Sequence, residues 1–73
     1  MSDKPEVLFS SVIGFRDFGE RGISVMLGGI KNHPRLGSQR EVTTSRVERL
    51  EYDRDMIVVI ETRNTMYIRD DGR

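Results

Sequence analysis

The side chains able to do chemistry are few in this sequence, and their spacing argues against catalysis. His33 is the sole histidine, and there is no cysteine. A general base needs a partner to orient it and a nucleophile or water to act on. The neighbours of His33 are Asn32, Pro34 and Arg35, which supply neither. Without cysteine there is no thiolate nucleophile, no thiolate metal ligand and no disulfide. The carboxylates Asp53, Asp55, Asp70 and Asp71 lack the alternating oxygen ligands, glycine and closing glutamate of a calcium loop. Gly28-Gly29 follows an apolar alternation, but it has neither the spacing of a phosphate loop nor a helix behind it. The expectation is a protein that is not an enzyme and needs no metal or cofactor.

What remains is chemistry suited to binding. Ten of the twelve basic residues are arginine, Lys4 and Lys31 being the only lysines. A guanidinium offers a planar fork of donors, stacks on rings and sheds water more readily than an ammonium, so it suits interfaces. Arg16, Arg21, His33, Arg35 and Arg40 fall in turns and in a loop, and form the candidate partner-binding set. A second grouping suits a small ligand. Thr43, Thr44, Ser45, Asn64, Thr65 and Tyr67 offer hydrogen bonds, while Arg46 and Arg63 can clamp a phosphate. A third reading places single-stranded nucleic acid on a sheet face, with Phe15 and Tyr67 stacking on bases.

Composition limits these readings. Lys plus Arg equals Asp plus Glu at 12 each, so the formal net charge is zero. A protein that coats phosphate backbones carries a positive excess, which makes nucleic acid an unsuitable sole partner. At 73 residues the chain is expected to form one domain, with residues 1–6 and 70–73 frayed. A domain this small hides only about 60% of its unfolded surface. The lack of cysteine, of a secretory leader pattern and of any long apolar run points to a cytoplasmic protein and not a membrane one.

These groups are held by strands. Val7, Phe9, Ser11, Ile13 and Phe15 alternate with Leu8, Ser10 and Val12, which predicts one strand ending near Gly14. Ile23, Val25 and Leu27 predict a second strand, stopped by Gly28-Gly29. The stretch 30–40, with Pro34 and Gly37-Ser38, reads as one long functional loop. Met56-Ile57-Val58-Val59-Ile60 reads as a buried strand with Val58 inside, and Met66–Arg69 alternates again after a tight connection at Asn64-Thr65. Residues 46–53 have two readings. Ser45 and Glu48 have capping-box spacing, which suits a short helix, but Thr43-Thr44 and the need for a meander favour a strand. Arg46, Glu48, Arg49 and Glu51 then face Glu61, Arg63 and Arg69 across a ladder, where opposite charges pair. Phe15, Phe18, Tyr52 and Tyr67 are expected in the core, although one left exposed beside an arginine would make an interface anchor. The fold expected is mainly β, a small antiparallel sheet or partly open barrel of four to five strands.

Thr43-Thr44-Ser45-Arg46-Val47 and Glu61-Thr62-Arg63-Asn64-Thr65-Met66-Tyr67, together with small size, balanced charge and arginine richness, resemble small phage-encoded transcription regulators of the Xanthomonas phage type. The resemblance implies a protein of the host cytoplasm that binds the large subunits of host RNA polymerase. It implies displacement of the σ factor to block initiation, and readthrough of terminators. A neutral domain cannot outcompete DNA by charge alone, but docking on polymerase can weaken σ binding by linkage.

Overall fold

The computed structural model describes residues 4–33 and 37–70; the side chains of Asn32 and of residues 37–40 are outside the described set. The protein is mainly β, a single sheet curled into a half-barrel. Among the described residues seven strands form it: β1 (Glu6–Phe9), β2 (Ser11–Asp17), β3 (Ile23–His33), β4 (Gly37–Thr43), β5 (Val47–Asp53), β6 (Met56–Thr62) and β7 (Met66–Arg69). That exceeds the four to five expected. One 3-10 turn, Gly19–Arg21, links β2 to β3, and no α-helix occurs among the described residues. Residues 47–53 are strand, so the helical reading of this segment fails. Leu50 and Ile60 are ladder partners here, and pairing with β6 outweighs the local capping signal.

The extra strands come from two places where periodicity is interrupted. At Ser10 the first strand bends and divides into β1 and β2, which follow one another along the same edge of β3. At Gly28-Gly29 the second strand does not stop. Val25, Leu27 and Ile30 all point inward, so the alternation changes phase across the glycines and the strand continues. Gly29 has φ 64°, a conformation that costs other residues about 1–2 kcal/mol. A Cβ on Gly29 would collide with the Ser10 hydroxyl, so the bend and the glycine fit each other. The long loop expected over 30–40 is therefore mostly the β3–β4 hairpin, with Ile30 opposite Gln39 and His33 opposite Gly37. Ladder pairing extends the two strands as far as His33 and Gly37, so most of the expected loop is strand; Pro34 and Arg35 lie outside the described residues.

Most pairings are antiparallel, but β1 and β7 run parallel, with Val7 opposite Tyr67 and Leu8 opposite Ile68. Lys4 to Glu6 and Asp70, expected to be loose, are tied in. Lys4 Nζ donates to Glu61 at 2.6 Å and to the Thr62 carbonyl at 2.8 Å, and Asp70 N–H donates to the Phe9 carbonyl. Arg69 locks the bend at Ser10. Its guanidinium lies 5.2 Å from the Phe9 ring centroid and donates to the Ile57 and Ser10 carbonyls.

The core is Val7, Phe9, Val25, Leu27, Ile30, Val42, Ile57, Ile60 and Tyr67. Each large apolar side chain buried here contributes about 1.5–3 kcal/mol. Val58 is only half-buried, because Ile57 and Ile60 take the inward positions of β6. Its predicted interior placement is thus corrected: the register shifts between Glu51 and Tyr52, leaving Val58 as the extra residue and breaking the alternation there.

Candidate functional site

β2 pairs only with β3, and its other edge is open among the described residues. In an antiparallel ladder, residues directly opposite each other share a face. Phe15 stands opposite Val25, which is wholly buried, so Phe15 points to the core side of the sheet. Yet Phe15 is 50% exposed, because no further described strand lies beyond β2 to cover it. Ile13, the extra residue where the register shifts between Val12 and Gly14, is also exposed, as is Phe18 just beyond the strand. The Arg16 guanidinium sits 5.9 Å from the Phe18 ring centroid, and Arg21 is exposed at the end of the 3-10 turn. The result is an apolar rim, Ile13-Phe15-Phe18, flanked by two arginines.

The far end of the sheet repeats the feature. β5 pairs only with β6, and Tyr52 stands opposite buried Ile57 but is 59% exposed, with exposed Met56 nearby on β6. Phe15, Phe18 and Tyr52 therefore leave the core to which they were assigned; only Tyr67 of that set is buried. A half-barrel has open rims where a closed barrel would have a neighbouring strand, and that is where these rings lie.

The predicted partner-binding residues do not form one patch. Arg16 and Arg21 lie near Ile23, at the start of β3, while His33 is at its other end. At roughly 3.3 Å per residue the two groups are about 30 Å apart along the strand. His33 is half-buried, its ring centroid 6.5 Å from that of Tyr67. Arg35 lies outside the described residues, as does the Arg40 side chain.

The predicted ligand set divides. The Thr44 hydroxyl is buried; it accepts the Val25 N–H at 3.0 Å and donates to the Ser45 carbonyl at 2.8 Å. It is a structural tie between the β4–β5 connection and β3. Tyr67 is a core residue whose hydroxyl pKa is raised by burial and offset by a hydrogen bond with Thr65. Buried there, it cannot stack a base alongside Phe15. Arg46 and Arg63 are both exposed just beyond the Val47–Thr62 pair that ends the β5–β6 ladder, and the Arg46 stem lies over Gly22 at the β2–β3 turn. Ser45 and Asn64, next to them in the chain, are exposed.

Of the meander charges only Arg49 and Glu61 pair across the ladder among the described residues; Glu51 meets Arg49 along the same strand, and Arg69 turns to backbone carbonyls. Arg49 Nε donates to Glu61 at 2.9 Å and its Nη1 lies 2.9 Å from Glu51. Lys4 and then Arg49 hold the Glu61 carboxyl below its ordinary value. No group of three or more potential metal-ligating side chains occurs among the described residues. No described helix is long and apolar enough to cross a membrane.

Which of the four rings are exposed was not legible in the sequence, because alternation marks which residues share a face, not whether another strand covers that face. The Ile13-Phe15 pair at the end of a glycine-interrupted strand was the available signal. No family model, curated protein or solved structure matches this chain.

Proposed function

We propose that this domain is a binding module that docks on a larger protein through the β2 rim, and that host RNA polymerase is that partner. The observation that carries the docking surface is Phe15, a core-facing ring left half in water at an unpaired strand edge. Aromatic residues and arginine are the groups that anchor protein interfaces, and an open edge accepts a partner's strand or loop. Phe15 and Phe18 supply the anchors, while Arg16 and Arg21 supply rim charge that guides encounter. The resemblance to phage transcription regulators supplies the choice of polymerase. On this reading binding weakens σ association, and no reaction is catalysed.

The test is binding to purified host polymerase and σ-dependent transcription in the same purified system. Wild-type protein binds and lowers the yield of initiated transcripts. Phe15→Ser with Phe18→Ser weakens binding at least about tenfold, as loss of interface anchors does, while the circular dichroism spectrum is retained. Polymerase that neither binds the wild-type protein nor changes its transcript yield refutes the choice of partner.

A further inference from the structure

We infer that the open edge of β5 pairs with the same edge of a second copy of this chain, in an antiparallel ladder whose two-fold axis passes through Leu50. Among the described residues β5 pairs only with β6, and it ends the sheet path at the side away from the β2 rim. An unpaired edge is a row of backbone donors and acceptors, which an identical edge satisfies when the side chains also agree. Of the registers centred on the middle of β5, one meets that condition.

Leu50 stands opposite wholly buried Ile60 and Tyr52 opposite buried Ile57, so both face the core side. Arg49 and Glu51 take the outer side, where they lie 2.9 Å apart and Arg49 also reaches Glu61. Residues opposite each other in a ladder share a face, so slipping the pairing by one residue would set Leu50 against the outer-side charges. Centring the axis on Arg49 sets two guanidinium groups against each other, and centring it on Glu51 sets two carboxylates together; both are destabilising. Centring on Leu50 puts Arg49 opposite Glu51 of the second copy, and Glu51 opposite Arg49 of the second copy. The two Leu50 side chains meet at the axis. Tyr52 then lies diagonal to Leu50 of the second copy, within reach of a long side chain. The ring that is 59% exposed in the single chain thereby gains a cover.

Charges on an edge strand usually guard it against pairing. A guard repels its own copy, whereas the order Arg49-Leu50-Glu51 attracts it. The chain as a whole adds no repulsion, because its formal net charge is zero. One edge of seven residues covers less than the roughly 1,600 Å² of a standard interface, so the dimer is weak, with a dissociation constant on the order of 100 µM.

Sedimentation velocity of the full chain from about 10 µM to about 1 mM tests this, since that range brackets the expected constant. The mean mass should rise with concentration from 8.4 kDa toward twice that value. Glu51→Arg sets arginines opposite each other on both sides of the axis and should weaken association at least about tenfold. Tyr52→Lys, at an exposed position that does not threaten the fold, should weaken it as well. Circular dichroism checks that both variants are folded. Phe15→Ser should leave association unchanged, which separates this edge from the β2 rim. A mass that stays at 8.4 kDa throughout, association that survives both Glu51→Arg and Tyr52→Lys, or its loss in Phe15→Ser would overturn the proposal.

Discussion

Thr44→Val separates a structural hydroxyl from a ligand-binding one. Valine keeps the shape and volume of threonine, so the change is confined to the hydroxyl. In the folded protein that hydroxyl accepts the buried Val25 N–H and donates to the Ser45 carbonyl. Valine leaves the N–H buried without a partner, at a cost of about 1–3 kcal/mol. A domain of this size is stable by only about 4–11 kcal/mol. A loss near 2 kcal/mol therefore lowers Tm by roughly 8–16 °C. Thermal and urea unfolding measure the change, with an unaltered urea slope indicating that the unfolded state is unchanged. Thr43→Val, at the exposed neighbouring position, serves as the control and should shift stability by less than about 0.5 kcal/mol. If Thr44→Val matches that control, the hydroxyl does not tie β3 to the β4–β5 connection, and its role as a ligand donor is restored.

Two further outcomes follow from the core and its ion pairs. Ile60→Asp, which places a charge at a wholly buried position, should abolish the cooperative transition seen by circular dichroism. Val58→Asp, at a half-buried one, should leave a folded but less stable protein; equal loss in both would mean that the facing of β6 is wrong. Glu61 has its folded pKa below the ordinary 4.5, so its carboxylate stabilises the fold above that value and the contribution disappears as pH falls through the folded pKa. Unfolding at a series of pH values should therefore show Glu61→Gln less stable than wild type near neutrality, with the gap closing below about 4.5; a constant gap would exclude the carboxylate's charge as the cause.

How much was legible depended on how local each determinant is. The Met56–Ile60 strand, the β6–β7 connection and the Arg49–Glu61 pairing were readable because neighbours in sequence decide them. Residues 46–53 carried both a capping signal and a strand signal, and only the partner strand resolves them. Gly28-Gly29 looked like a stop because a phase change in alternation and a chain end give the same pattern. The continuation to His33 depends on Ser10, far off in the chain, filling the space beside Gly29. The candidate surface was the least legible part. Phe15 has the residue type and alternation of a core position and even faces the core; what it lacks is a covering strand, a property of the whole sheet. Arg46 was singled out for its charge, but that its stem packs over Gly22 depends on the β2–β3 turn, far from it in the chain.

The parallel pairing of β1 with β7 bears on how the chain comes to be folded in a cell. Glu6 finds its partner in Met66, so the strand made first remains without that neighbour until nearly the whole described chain has been synthesised. Contacts this far apart in sequence fold slowly, because the entropy of closing the loop is lost before the contact rewards it. On the ribosome, Val7 and Phe9 emerge early and stay exposed while β7 is still being translated. The half-barrel therefore completes only once β7 has emerged, and a chain interrupted before Met66 presents β1 as a further open edge. Damage or truncation at that end would then be felt at the opposite terminus, as a gain of stickiness as well as a loss of fold.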